Sequence, residues 1–212
     1  MIDTEMLDLV MLVPGNDERQ TFEGLLSSRR ESLSIRKVCY EVRVHPRRDP
    51  GCFHEAPDIL QPYLRLARYS MVVLDHEGSG QEDRSPEDVR NDLKRRLETS
   101  GWADRTEVLV LTPELENWIW SDSPEVDLAV GWQGRKPPLR DWLSAKKWWA
   151  TGSVKPKRPK ECLEATLREV RMRRSSAIYR QLAENVGLSR CRDQGFKAFR
   201  KTMKVWFTKV NE

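Results

Sequence analysis

The sequence predicts an α/β protein in which a mainly parallel sheet of about four strands is flanked by helices and followed by a helical C-terminal region. Over the first 112 residues, short apolar runs alternate with amphipathic stretches, as in successive βαβ units. From Lys160 onward the periodicity is helical only. A chain of 212 residues is long enough to bury one substantial core.

Four segments have the composition of strands. Leu7–Val13 is a nearly continuous apolar run, which is typical of a parallel strand covered on both faces. Residues 37–44 alternate between apolar and polar side chains, which indicates a strand nearer the edge of the sheet. Residues 70–75 and Thr106–Leu111 are again mostly apolar. The sheet is therefore expected to contain these four strands.

Helical spacing occurs between and after the strands. The predicted helices of the first part cover residues 18–26, 56–68 and 85–100. The last of them begins well, because Ser85 is a good N-cap residue and a proline follows it. Residues 46–57 are rich in proline, glycine and charge, which predicts a loop. Three helices are expected after residue 160, and the final one has Phe196, Phe199 and Met203 on one face.

The net charge of +4 conceals two oppositely charged halves. Residues 1–130 contain 16 Lys and Arg against 26 Asp and Glu, whereas residues 131–212 contain 21 against 7. We therefore expect an acidic α/β domain over residues 1–130, with a basic, tryptophan-rich loop and C-terminal helices over residues 131–212 packed on it. An acidic body can hold cations, and a basic arm can approach phosphates or an acidic partner.

Composition and cysteine spacing argue against several other classes. No run approaches the roughly 18 apolar residues of a membrane span, so no membrane association is expected. The N-terminus is acidic where a secretory signal would be basic, and a cytoplasmic location is the expectation. The four cysteines include no CxxC pair. Cys52 and His54, with Cys39 and His45 nearby, match no standard zinc spacing.

Acidic residues follow three of the four predicted strands. They are Asp17 and Glu18 after the first, Asp75 and Glu77 after the third, and Glu114 and Glu116 after the fourth. Because the functional crevice of a parallel sheet lies at the carboxyl ends of its strands, we expect these groups to converge. Two or three carboxylates suffice for a Mg²⁺ or Mn²⁺ site. The alternative is that each residue only stabilises a helix N-terminus or a loop.

The spacing within the acidic pair that follows the third strand makes a geometric prediction. Asp75 and Glu77 are two residues apart, so both side chains point to the same side if the chain stays extended there. His76, between them, would then face the other way. That orientation makes His76 a poor candidate for a catalytic base at a site formed by its two neighbours.

Three short motifs resemble a known family. The run of Asp75, His76 and Glu77 after an apolar strand is similar to the DxD motif of Toprim domains, which topoisomerases, primases and OLD-type nucleases share. The turn from Pro14 to Glu18 resembles the EGxxE turn after the first Toprim strand. Residues 112–122, TPELENWIWSD, resemble the PExEaWllaD segment of small RloB-related Toprim-like proteins of prokaryotic anti-phage defence islands.

The C-terminal part also resembles this group, so the resemblance spans most of the chain. It has a loop with lysine and proline, a Ser-Ala-Ile-Tyr helix at residues 176–179 and a closing Phe-x-x-Phe helix. One departure concerns the turn after the first strand, where Pro14 replaces the family's glutamate. Since proline can neither bind a metal nor move a proton, either Glu18 takes over that role or the site is degenerate.

The resemblance implies a Toprim-like fold and divalent-metal-dependent cleavage or processing of nucleic acid, together with other defence-system proteins. It implies that Asp75, Glu77 and Glu116 hold Mg²⁺ or Mn²⁺ and that Glu18 carries the proton. The principal alternative is a catalytically inactive Toprim-like subunit that binds nucleic acid or partner proteins, which Pro14 favours. Hydrolysis of a small phosphorylated metabolite is a third interpretation.

Basic side chains are interleaved with tryptophans over residues 135–160. Cations for phosphates beside aromatic stacking surfaces suit a single-stranded or deformed nucleic acid. The predicted contacts, from this stretch and the helix after it, are Lys146, Lys147, Trp148, Lys155, Lys157, Arg158, Arg171 and Arg174. The alternatives are that the tryptophans belong to the core and the lysines are only solvated, or that this arm docks on an acidic protein.

Overall fold

The computed structural model describes residues 6–187, 191 and 193–209, and in them four strands form one parallel sheet of order β2-β1-β3-β4. The strands are β1 (Leu7–Val13), β2 (Tyr40–Val44), β3 (Ala67–Asp75) and β4 (Thr106–Leu111). All three pairings are parallel. The predicted α/β class is therefore confirmed, and the architecture is consistent with a Toprim-like fold.

Helices flank the sheet and form the C-terminal region. They are α1 (Asn16–Ser28), α2 (Arg30–Leu33), α3 (Arg48–Leu60), α4 (Pro86–Leu97), α5 (Glu116–Ile119), α6 (Pro124–Ala129), α7 (Leu139–Ala145), α8 (Pro159–Glu169), α9 (Ser176–Asn185) and α10 (Gln194–Trp206). A short 3₁₀ helix, Gln61–Arg65, joins α3 to β3. None of the helices that the structure describes is long and apolar enough to cross a membrane.

Two apolar cores lie on the two faces of the sheet. The larger contains Leu9 and Met11 of β1 together with Phe22 of α1 and Phe199 of α10. The smaller contains Val10 and Leu12 with side chains of α3 and α4. Successive residues of β1 thus face opposite cores, which is why its apolar run is continuous rather than alternating. Since the larger core takes residues from both charged halves, the C-terminal helices share it with the α/β part.

The tryptophans of the basic arm belong mainly to the scaffold. Trp120, Trp132 and Trp149 are buried, and each donates its indole N–H to a backbone carbonyl at 2.9 to 3.1 Å. Trp148 is half-buried and packs against the same core. A buried indole that has found its acceptor stabilises the fold and presents no free face for a base.

The prediction of a loop over residues 46–57 is wrong, because α3 begins at Arg48. Pro50 lies in the first turn, where a missing N–H removes no intrahelical hydrogen bond. The predicted helix over residues 56–68 is correspondingly misplaced, since α3 ends at Leu60. The consequence concerns function, because the first turn of α3 brings Asp49 to the carboxyl end of the sheet.

Gly51 of α3 leaves no room for a side chain. A Cβ atom at this position would lie 2.1 Å from Nδ1 of the buried His45. We expect Gly51→Ala to lower the free energy of unfolding by about 1–3 kcal/mol, because the imidazole and α3 must move apart. Urea denaturation measures the change. Gly187→Ala is the control, since a Cβ there meets no atom of the described residues within 4 Å; equal losses in the two variants would contradict this packing.

Candidate metal centre

The carboxyl end of the sheet carries a cluster of buried acidic side chains. Oxygen atoms of Asp75, Glu114 and Glu116 lie within 4.8 Å of one another. Asp75 is the last residue of β3, Glu114 lies between β4 and α5, and Glu116 begins α5. Because β3 and β4 are neighbouring parallel strands, with Asp75 opposite Leu111, their ends deliver the three carboxylates to one place.

The spacing of these oxygens fits a metal ion. Three oxygens that each lie about 2.1 Å from Mg²⁺ are at most about 4.2 Å apart, so a small inward movement of the side chains is sufficient. One oxygen of Asp75 accepts the N–H of Leu115 at 2.9 Å, and one oxygen of Glu114 accepts the N–H of Lys160 at 2.8 Å. Within the described part of the chain, the second oxygen of each carboxylate has no donor and is available to a cation.

Two further carboxylates border the cluster. Glu18, in the first turn of α1, is buried. Asp49, in the first turn of α3, is half-buried and accepts the backbone N–H of Asp75 at 2.7 Å. The sequence prediction missed Asp49 because it assigned this segment to a loop. Asp49 could have been selected from the sequence because it follows soon after β2, and each of the other three strands is also followed by acidic residues.

Burial and mutual repulsion raise the pKa values of Glu18, Asp75 and Glu114. Burial is the largest cause at each of them, and it raises the pKa of Glu18 to about 7 and that of Glu114 to about 7. The pKa of Asp75 is raised well above its usual range by burial, then by the charges of Glu18 and Asp49. Several buried like charges are costly without a counter-charge. Protons or a bound cation must therefore balance the cluster.

Arg174 supplies part of that counter-charge. Its guanidinium lies 2.7 Å from a carboxylate oxygen of Glu116 and 2.8 Å from one of Asp17. The hydroxyl of Tyr179 donates to the same Glu116 oxygen at 2.6 Å. These bonds fix the orientation of Glu116 and occupy one of its oxygens. They also tie the start of α9 and the segment before it to the acidic site.

Glu77, a predicted metal ligand, does not join this cluster. β3 ends at Asp75 and the chain turns at His76, so the extended geometry on which the prediction depended ends there. Glu77 is exposed, and its backbone N–H donates to the carbonyl of Pro113 at 3.0 Å. The imidazole of His76 is hydrogen-bonded to a carbonyl of the following loop at 2.9 Å. The third carboxylate of the cluster is instead Glu114.

Glu18 lies next to the position at which this chain departs from the Toprim turn. Pro14 is buried at the end of β1, and Gly15 is the N-cap of α1. A Cβ atom on Gly15 would lie 2.8 Å from a carboxylate oxygen of Glu18. The side chain of Glu18 therefore folds back over the residue that follows Pro14, and its carboxylate lies beside the strand end.

The predicted nucleic-acid contacts have different environments. Those exposed away from the acidic cluster are Lys146, Lys147, Lys157, Arg158 and Arg171, and of these Arg158 pairs with Glu161. Lys155 is largely buried, where its ammonium donates to the carbonyl of Asn117 at 2.6 Å, and burial lowers its pKa. Arg174 is engaged by the acidic cluster, and Trp148 packs against the core. Among the predicted contacts, Lys146, Lys147, Lys157 and Arg171 therefore present side chains that a phosphate can reach without breaking a described contact.

Comparisons of this chain with models of protein families, with curated proteins and with solved structures find no significant match. The likeness to Toprim proteins therefore depends on the short motifs of the sequence alone. The carboxylate cluster is observed independently of that likeness, and its geometry fits a metal ion.

We expect the metal-free protein to lose stability as the pH rises from about 4.5 to about 7. The pKa of Glu18 and of Glu114 is raised from 4.5 to about 7, so the folded state binds more protons than the unfolded state in this interval. For Glu18 alone the loss is on the order of 3 kcal/mol. Thermal unfolding in chelator between pH 4.5 and pH 8 measures it. Glu18→Gln should flatten the slope, and a Tm that rises with pH in the wild type would contradict the raised pKa values.

Proposed function

We propose that this protein is a divalent-metal-dependent enzyme that cleaves or processes nucleic acid, with Mg²⁺ or Mn²⁺ held by Asp75, Glu114 and Glu116. The supporting observation is the set of three buried carboxylate oxygens within 4.8 Å at the carboxyl end of the sheet. Carboxylate-only ligand sets favour hard cations of this kind. When bound, the cation would supply a Lewis acid that polarises a phosphate and lowers the pKa of water.

Glu18 has the properties of a proton carrier for this reaction. Its pKa of about 7 lies near neutral pH, where a general acid or base is most effective. Its carboxylate borders the cluster, and no described side chain is hydrogen-bonded to it as donor or acceptor, so neither its oxygens nor its proton is committed to another side chain. Because Pro14 stands where the family has a glutamate, Glu18 is the residue we assign to this role.

Cations suited to a phosphodiester backbone lie beside the carboxylates. Lys160 donates its backbone N–H to Glu114 at 2.8 Å, and Arg48 is adjacent in sequence to Asp49. Lys157 and Arg158 are exposed just before the start of α8. A backbone bound along these side chains would bring one phosphate to the carboxylate cluster, since phosphate contacts position a nucleic acid without reading its bases.

We further propose that the protein works in the cytoplasm in a prokaryotic anti-phage defence system, with other proteins of that system as partners. The support is the resemblance of its motifs to RloB-related Toprim proteins. A catalytically inactive subunit that binds nucleic acid or partner proteins is the second candidate. Pro14 favours it, and so does Arg174, which already neutralises part of the charge of Glu116.

Thermal unfolding with and without millimolar MgCl₂ or MnCl₂ tests the metal site. We expect a Tm that rises with metal concentration, because the ion binds the folded state. Asp75→Asn and Glu114→Gln should abolish this rise. Their metal-free stability should equal or exceed that of the wild type, since each removes a buried negative charge.

Glu77→Gln is the matched control for this experiment. It removes a carboxylate that is close in sequence but exposed outside the cluster, so the full metal-dependent rise should remain. Loss of the rise in Glu77→Gln, with retention in Glu114→Gln, would show that the ligands are those of the Toprim motif and not the buried cluster. No rise in the wild type would favour the inactive subunit.

Cleavage of labelled single-stranded and duplex DNA and RNA in the presence of Mn²⁺ tests the catalytic proposal. We expect Glu18→Gln to keep the metal-dependent rise in Tm and to lower kcat by about 10²- to 10⁴-fold, because it loses a proton carrier and no ligand. Equal rates for this variant and the wild type would remove Glu18 from the mechanism. Metal binding without cleavage of any of these substrates would favour a nucleic-acid-binding subunit.

A further inference from the structure

Helix α10 runs beside β4, from the acidic site toward the opposite end of the sheet. Its N-cap residue, Asp193, accepts a side-chain N–H of Asn117 at 2.7 Å. Asn117 directly follows Glu116 in α5. Toward the other end of α10, Trp206 stacks on Tyr69 near the start of β3, with ring centroids 4.5 Å apart. The helix therefore leads away from the proposed metal centre.

Three lysines form a stripe on the outer side of α10. Lys197, Lys201 and Lys204 are spaced four and three residues apart, so they share one side of the helix, and all three are exposed. At a rise of about 1.5 Å per residue, the stripe is about 10 Å long. Lys197 lies one turn after Asp193 and is therefore the member nearest to the acidic site. These three residues are called the α10 lysines below.

The charges of the α10 lysines are largely uncompensated. Within the described residues none of the three is in an ion pair, and α10 contains no acidic residue. Carboxylates on neighbouring elements have other partners, since Glu107 is held by Arg90 and Lys94, and Glu31 by Lys209. The outer side of α10 therefore presents a continuous positive charge to solvent.

The cavity between α10 and α4 differs from this outer side. Of the α10 lysines, only Lys201 belongs to its described lining, and Asp104 lies in the same cavity without forming an ion pair in the described structure. Lys197 and Lys204 are exposed outside that cavity. Positive charge thus predominates on the solvent side of the helix and not in the cavity.

The backbone of a nucleic acid fits this surface better than a protein does. In α10, all of whose residues the structure describes, Val205 is the only large apolar side chain that is exposed. Protein–protein interfaces have an apolar core and are depleted in lysine. Phosphate contacts need no apolar surface, because they depend on cations and on the release of counterions. A row of lysines that begins beside the acidic site therefore favours a chain of phosphates.

We infer that the α10 lysines bind the phosphodiester backbone of one nucleic-acid strand that extends from the metal centre along α10. The identity of this ligand rests on the proposed function, since the strand is part of the proposed substrate. The α10 lysines add a second surface to the basic residues between 135 and 160. Because contacts with phosphates carry no sequence information, this surface should hold the strand independently of its bases.

Fluorescence anisotropy of a labelled oligothymidine of about 20 nucleotides tests this surface. The titration is done in EDTA at about 50 to 200 mM salt, so that no metal is bound and nothing is cleaved. The variant that combines Lys197→Gln, Lys201→Gln and Lys204→Gln should bind at least about tenfold more weakly. Its slope of log K against log salt should become shallower by about 2, since each lost phosphate contact contributes about 0.7.

Lys201→Gln and Arg65→Gln form a matched pair of single variants. Each removes one exposed positive charge, but Arg65 lies in the 3₁₀ helix between Tyr63 and Ala67, which pack in the core on the other face of the sheet. Lys201→Gln should make the slope shallower by about 0.7, and Arg65→Gln should leave it unchanged. Equal effects would mean that only the net charge of the protein matters, which would overturn the inference.

Lysine acetylation of the wild type, followed by mass spectrometry, needs no variant. Bound oligothymidine should slow the acetylation of all three α10 lysines, because phosphates cover their ammonium groups. Unchanged acetylation rates at these positions in the saturated complex would overturn the inference. The same measurement with oligouridine extends the test to RNA, whose backbone carries the same phosphates.

Failure of this surface can be told apart from failure of the metal centre. The triple variant keeps every proposed metal ligand, so its metal-dependent rise in Tm should equal that of the wild type. Unimpaired oligothymidine binding by the triple variant would overturn the α10 surface and leave the metal centre in place. Equally tight binding of the wild type to poly-glutamate, lost in the triple variant, would assign the surface to an acidic protein instead.

Discussion

Mutual repulsion among the buried carboxylates at the carboxyl end of the sheet constrains this part of the molecule. Asp75, Glu114 and Glu116 are brought together by the ends of two adjacent strands, so the pairing of β3 with β4 keeps them close to one another. The structure offsets the repulsion by backbone N–H donors, by the guanidinium of Arg174 and by raised carboxyl pKa values. Such strain persists where the surrounding packing over-determines it, and it is typical of sites that bind a charged ligand.

The two oppositely charged halves of the chain meet at this cluster. The acidic half supplies the carboxylates, and the basic half supplies groups that orient them. Lys160 donates its backbone N–H to Glu114, while Arg174 and Tyr179 donate to Glu116. The C-terminal helices therefore complete the site and share the larger core with the sheet. Loss of their packing would release the carboxylates as well as expose apolar surface.

The acidic site and the edge of β4 are neighbours. Asn117, adjacent in sequence to Glu116, and the half-buried Lys155 lie beside the end of β4. The ammonium of Lys155 donates to the carbonyl of Asn117.

The sequence by itself determined the architecture, and it placed acidic residues at the strand ends. The nearly continuous apolar runs in Leu7–Val13 and Thr106–Leu111 indicate strands that are buried on both faces of a parallel sheet. Burial of a segment is visible in its own sequence, because it determines which of its residues are apolar. Glu18, Asp75 and Glu116 could be selected from the sequence as site residues because each lies at or soon after the end of a predicted strand, which is also a local property of the chain. The tertiary structure alone decided that Glu114 and not Glu77 completes the cluster, since this depends on the turn at His76.

The tertiary structure also decided the partners of that cluster. Asp49 reaches it because α3 begins earlier than its prolines and glycine suggest, and Gly51 packs against His45. Arg174 reaches it because the helices around it pack on the larger core, so a side chain predicted to contact phosphates lies on carboxylates instead. Contacts between residues far apart in the chain are set by packing and turn geometry. Local periodicity carries no information about them, and for this reason the site could be located from the sequence but not assembled.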